Sequence, residues 1–136
     1  MSLAPLLEAP LAIQLHVFTV CIAVVLAPVQ LIGPKGTTRH RTLGWIWVAA
    51  LIGACISAFF ILDRPIPPHL GPVSWLHLLA VFTLVRLGQA VAAARRHDIG
   101  RHRQVMRKIA YLALGIPLVV AFAVPGRIMF QVLFGS

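Results

Sequence analysis

Four stretches of the chain are almost free of charge, and the charged residues gather between them. Residues 9–33, 42–62, 65–85 and 109–126 contain no Asp, Glu, Lys or Arg. A helix needs about 20 mostly apolar residues to cross roughly 30 Å of hydrocarbon. The pattern therefore predicts four spans, at about 10–32, 41–62, 73–94 and 103–125. The fold class expected is all-α: an integral membrane four-helix bundle, with residues 1–136 forming a single transmembrane domain. Arg86 lies within the third span, where a long side chain either snorkels to the surface or faces the bundle interior.

Local signals agree with these limits. Pro10 sits at the start of the first span, Gly33-Pro34 closes it, and Asp98 is placed to N-cap the fourth. Pro117 falls midway along the fourth span and is expected to kink it. Arg64-Pro65-Ile66-Pro67-Pro68 reads as a stiff connection, and Trp45 and Trp75 fall near opposite interfaces. The first apolar run is too long for a secretory signal core, and Glu8 precedes it with no Lys or Arg. It is expected to remain in the mature protein.

Composition sharpens the picture. Of 136 residues, 60% are hydrophobic and 11% charged, with a mean hydropathy of +0.92. An ordinary soluble domain is about a quarter charged. The formal charge of +9 would suggest nucleic acid in a polar protein, but its distribution says otherwise. Lys35, Arg39 and Arg41 lie in or beside the first connection, and Arg95, Arg96, Arg101, Arg103, Arg107 and Lys108 in or beside the third. The other side holds Arg64 and Arg127. The positive-inside rule then places the first and third connections in the cytoplasm and both termini outside. The charge is a topology signal, and no nucleic-acid partner is expected.

Within this frame an internal repeat aligns histidines. Leu15-His16 opens the first span and Leu76-His77 the third; His40-Arg41 opens the second and His102-Arg103 the fourth. The chain reads as two tandem helical hairpins related by a pseudo-twofold axis along the membrane normal. That axis sets His16 opposite His77 near the outer face and His40 opposite His102 near the inner face. From His16 a stripe of small and polar residues (Thr19, Ala23, Ala27, Gln30) points inward, and Ala49, Gly53 and Ser57 form a small-residue seam on the second span. Met106, one turn beyond His102, is a further soft ligand or packing filler.

Imidazole ligates haem iron, copper or zinc, and bundle cores are where such sites are built. Bis-histidine ligation fills both axial positions of a haem and favours electron transfer. Arg41 and Arg103 at the inner level, and Arg127 and Arg64 at the outer, are candidate partners for haem propionates. The alternative is that intramembrane histidines merely pack and hydrogen-bond. His69 and His97 are expected to be surface residues, with His69 a candidate third outer ligand. Cys21 and Cys55, without CxxC spacing, are expected to be small packing residues. No nucleotide-binding glycine motif, HExxH, GxSxG or intramembrane carboxylate pair is present, so a carboxylate-driven proton pump is not expected, and the sequence leaves open whether the protein is an enzyme.

Lys35-Gly36-Thr37 followed by His40-Arg41 and Gly44-Trp45-Ile46-Trp47-Val48, then His77-Leu78-Leu79, Ala93-Ala94-Arg95-Arg96, and His102-Arg103 with Met106, resemble the domain-of-unknown-function family 2306 of predicted bacterial membrane proteins. The resemblance covers about Leu11 to Gly126. It implies a four-helix membrane protein with recurring histidines at His16, His40, His77 and His102, and supplies no activity. A short outer connection and the lack of a C-terminal extension depart from the family pattern, so no appended soluble domain is expected.

The leading expectation is a small membrane redox protein of b-type cytochrome character, in the bacterial cytoplasmic membrane. Its four histidines would hold one or two haem b groups, and it would exchange electrons with quinone or a redox partner protein. A copper or zinc protein and a cofactor-free accessory subunit are the alternatives, and assembly into homo-oligomers through small-residue seams is compatible with all three.

Overall fold

Pro10 has φ −51° and ψ 146°, so it ends an extended approach and starts the first long helix without needing an N–H to donate. From there the computed structural model, which describes residues 1–62, 69–71 and 73–135 (69 and 70 by backbone alone), is built almost wholly of helices. In chain order they are α1 (Ala4–Leu7), α2 (Leu11–Ile32), α3 (Thr38–Ala58), α4 (Trp75–Arg95), α5 (Ile99–Lys108), a π-helical segment (Ile109–Gly115), α6 (Ile116–Ala123) and α7 (Ile128–Phe134). Two-residue strands β1 (His69–Leu70) and β2 (Val73–Ser74) pair antiparallel ahead of α4, His69 opposite Ser74. Arg64 and the proline-rich stretch around it lie outside the described residues.

Among the described residues, four helices are long and apolar enough to cross a membrane: Leu11–Ile32, Thr38–Ala58, Trp75–Arg95 and the continuous Ile99–Ala123. The second stops at Ala58, short of the expected 62. The N–H groups of Phe59, Phe60 and Ile61 turn back to the third carbonyl before each, Ile56, Ser57 and Ala58, and so close the helix with tighter turns. The fourth begins earlier than expected because Asp98 caps it, its carboxylate accepting from the Arg101 N–H at 3.1 Å.

The connection between α2 and α3 explains its own sequence. Lys35 Nζ donates to the carbonyls of Gln30, Leu31 and Gly33, so the ammonium satisfies the end of α2. Gly36 then takes φ +77°, and Thr37 caps α3 by accepting from the His40 N–H. The Lys-Gly-Thr run is thus one turn with three separate jobs. At the other basic connection, Asp98 N–H bonds to Ala93 O and His97 N–H to Ala94 O, the double bond of a Schellman ending. The left-handed position, φ 59°, is held by His97. Glycine adopts that conformation without Cβ strain, so His97→Gly is expected to raise stability by about 0.5 kcal/mol, partly offset by the freer unfolded chain. Reversible unfolding of the detergent-solubilised variant checks the sign.

Helix α2 packs on α3, α3 on α4, α4 on α5 and the π segment, and the π segment back on α2, closing a four-membered ring. Its centre is narrow because Ala23 and Ala90 are fully buried there. Around them pack Trp47, Leu51, Leu87 and Ile109, while Phe18, Val25, Leu78, Val85, Leu112 and Val119 remain exposed. An apolar exterior of this kind suits lipid, in which every helix must satisfy its own backbone. Gly53 lies so close to α2 that a Cβ there would meet Thr19 Cγ2 at 3.0 Å, and Ser57 is buried; Ala49, expected in the same seam, is exposed.

Pro117 is accommodated by a change of helix type. Lacking an N–H, it cannot bond to the carbonyl four residues before it, and its ring crowds that position. The seven residues Ile109–Gly115 just ahead are wound as a wider π helix. Pro28 sits inside α2 without ending it. Short helices α1 and α7 pack against each other, tied by Ser2 N–H to Val132 O at 3.1 Å.

Candidate functional site

The four repeated histidines do not share one environment. His16 Nδ1 lies 2.9 Å from Ala54 O on α3 and 3.1 Å from Ser57 Oγ. A carbonyl only accepts, so Nδ1 carries the proton and Nε2 is left with its lone pair. The Ser57 hydroxyl proton has its own acceptor, the same Ala54 O at 3.0 Å. His102 repeats the arrangement across a different helix pair, with Nδ1 2.9 Å from Ala90 O on α4. Metal-ligating histidines commonly donate their other N–H to a backbone carbonyl in this way.

His77 is the reverse case. It occupies the third position of α4, and its Nδ1 accepts from the Ser74 N–H at 3.1 Å, with Ser74 Oγ at 3.2 Å. An imidazole thus does the work that Glu or Gln usually does in a capping box. With Nδ1 accepting, the proton of the neutral ring resides on Nε2. That atom is buried and has no hydrogen-bond partner among the described residues. Phe59 leans on the ring at 6.0 Å between centroids.

His16 and His77 line one cavity of about 490 Å³ at the end of the bundle that holds the chain termini. Its walls come from all four spans and from α7: Val20 and Val24, Leu51 and Cys55, Ala80 and Thr83, Leu114 and Pro117, then Arg127 and Ile128. The π segment, Pro117 and the start of α7 all contribute to its lining. Thr83 donates its hydroxyl to Leu79 O at 2.7 Å, and Ser74, Arg127 and the two histidines are further polar residues of the lining. The contribution of α7 was not anticipated from sequence, although Ile128 and Val132, both buried and four residues apart, carried a helical signal.

At the opposite, basic end, His40 and His102 are both half-buried, and His40 lies within electrostatic range of His102 and Lys35. The buried Gln30 donates to His40 O at 3.3 Å and ties α2 to the start of α3. Met106 is half-buried one turn beyond His102, while Arg41 and Arg103 are exposed. Among the described residues no three His, Cys, Asp or Glu side chains converge on a point. The side chain of His69, named as a third outer ligand, lies outside the described residues, and His97 is exposed.

Arg86 is held locally. Its Nη1 donates to Gln89 Oε1 at 3.0 Å, and its guanidinium lies 5.3 Å over the Phe82 ring. Both cysteines are free thiols; Cys55 is buried, and Cys21 is exposed rather than packed inside.

Residues 13–132 match the family model described as "Predicted membrane protein (DUF2306)". The chain belongs to this family. The matched region contains all four histidines, the Lys35-Gly36-Thr37 turn, the π segment and Arg127. Family membership and the four long apolar helices together make this an integral membrane protein. No curated protein and no solved structure matches it.

Proposed function

We propose that the protein is a small membrane redox protein that binds haem b at its basic end, where His40 and His102 would hold it. The observation that carries this reading is the His102 ring. Its Nδ1–H is committed to Ala90 O, which turns Nε2 into a preset ligand beside His40. Arg41 and Arg103, each next in sequence to a proposed ligand, supply cations for the propionates. When bound, haem would supply one-electron transfer. The chain's own part is to set the His102 tautomer, to hold Gln30 against the His40 backbone, and to keep cationic side chains at the rim.

A second haem between His16 and His77 requires both Nε2 atoms to present lone pairs. His16 does so; for His77 the proton must shift to Nδ1 and be donated in a hydrogen bond to Ser74 Oγ, which breaks the bond from the Ser74 N–H. The proposal therefore assigns the haem to the basic end. Copper at His40 and His102 is the second reading, favoured by the soft Met106 thioether one turn from His102.

The positive-inside rule puts the basic end in the cytoplasm and both termini outside, in a bacterial cytoplasmic membrane. The protein purified from cells supplied with haem is expected to show a Soret band and the sharp reduced α-band of a six-coordinate b-type centre. Stoichiometric copper without haem supports the second reading, and neither chromophore nor metal rejects both. Tagging each terminus for protease accessibility in spheroplasts tests the orientation.

A further inference from the structure

We infer that the exposed face of α4 around Arg86 docks a transmembrane helix of another membrane protein, one that carries a carboxylate at mid-depth. The inference rests on α4 and does not depend on haem at the basic end. Along the helix axis Arg86 lies about 17 Å from Trp75 and about 14 Å from Arg95, at 1.5 Å per residue. Half the hydrocarbon thickness is about 15 Å, so the residue sits close to the level of the bilayer centre. Long cationic side chains near helix ends escape by snorkelling to the surface. Arg86 does not: its guanidinium lies 5.3 Å from the centroid of Phe82, one turn away from the basic end, and its Nη1 donates to Gln89 Oε1 at 3.0 Å. The two contacts hold the charge at depth, and neither neutralises it.

The chemistry of the missing counter-charge identifies the partner. An arginine side chain carries its charge into whatever surrounds it, and a charge in hydrocarbon is costly unless it is paired. The acids of this chain are Glu8, Asp63 and Asp98, and none lies within a span. A second copy therefore supplies no counter-charge at this level, and lipid phosphates lie about 15 Å away at the surface. Gln89 takes one of the five guanidinium N–H groups, and among the described residues no other group accepts from it. The remaining donors match the paired oxygens of a carboxylate. The surface beside Arg86 admits a helix that brings one. Phe82, Val85, Gly88 and Ala92 are all exposed on the lateral face of α4. A Cβ placed on Gly88 meets nothing within 4 Å, so a neighbouring helix has room to approach the backbone there.

The test uses the purified full-length protein in phosphatidylcholine vesicles. The probes are three leucine-alanine transmembrane peptides that differ only in the central residue, Asp, Asn or Leu. Each carries a dansyl label that accepts energy from the protein's tryptophans. The Asp peptide is expected to associate about tenfold more tightly than the Asn peptide, and the Leu peptide most weakly. Arg86→Gln should remove the preference for Asp over Asn, and Arg86→Lys should keep part of it. Gly88→Leu leaves the charge in place and blocks close approach, so it should weaken the Asp peptide about tenfold as well. Equal binding of the Asp and Leu peptides, a preference for Asp that survives Arg86→Gln, or an Asp-peptide affinity unchanged by Gly88→Leu overturns the inference. Loss of Asp-peptide binding when phosphatidylglycerol replaces phosphatidylcholine assigns Arg86 to a lipid phosphate and also overturns it. The readout is energy transfer to the peptide, so a protein without haem or metal still decides it.

Discussion

Trp47→Ala is expected to cost about 3 kcal/mol of bundle stability, the low end of the range for removing a buried large aromatic side chain. Trp47 is 2% exposed, packs at the centre of the ring of helices, and donates its indole N–H to Ala23 O on α2 at 2.8 Å. Within a bilayer the unpacked state still sits in hydrocarbon, so transfer from water contributes little. The loss is of dispersion contacts and of one interhelical hydrogen bond. Trp47→Phe keeps most of the packing and removes only the donor, so it should cost about 1 kcal/mol. Unfolding in mixed micelles, followed by the near-ultraviolet signal, separates the two. If both variants match the parent, α2 and α3 are not held together as described. Trp45, two residues away and 55% exposed, is the control: Trp45→Ala should leave stability nearly unchanged.

The second large effect concerns the histidines taken singly. His102→Ala is expected to abolish the six-coordinate spectrum, because it removes both the preset Nε2 and the bond that ties α5 to Ala90 O on α4. His40→Ala should leave at most a five-coordinate, high-spin centre. His16→Ala and His77→Ala should leave the absorbance spectrum as it is, since both line the far cavity. If the spectrum disappears on replacing His16 or His77 and survives loss of His40 and His102, the haem assignment at the basic end is wrong. Met106→Leu discriminates the metal: it should lower copper occupancy and leave a haem spectrum unchanged. Each variant is compared at equal folded protein, judged by far-ultraviolet circular dichroism.

Much of this protein was legible in one dimension. Charge-free runs long enough to cross hydrocarbon located four helices, and Pro10, Gly33 and Asp98 marked ends that the structure places within a few residues. Those signals are local: a cap or a missing N–H acts on its own turn. The inward stripe on α2 was also readable, since Ala23, Ala27 and Gln30 are all buried. The seam on α3 was partly misplaced, because helix rotation shifts which small residues meet a neighbour, and Ala49 faces out while Gly53 meets Thr19. The π winding of Ile109–Gly115 ahead of Pro117 was not read from the sequence, since a proline announces a broken ladder and not how the neighbouring turns rewind.

The amino-acid sequence by itself determined the membrane class, the four spans, the basic end, the family and the levels at which the histidines lie. Each of these follows from hydropathy, charge or spacing along the chain. Only the tertiary structure decided what each histidine can do. A tautomer is set by whichever backbone group the helix packing brings to Nδ1: a carbonyl of α3 for His16, a carbonyl of α4 for His102, an N–H of its own cap for His77. The sequence repeat makes the histidines look equivalent, and the packing gives them opposite hydrogen-bonding roles. The cavity lined by His16 and His77 likewise exists only in three dimensions, because its walls join residues of all four spans to the start of α7.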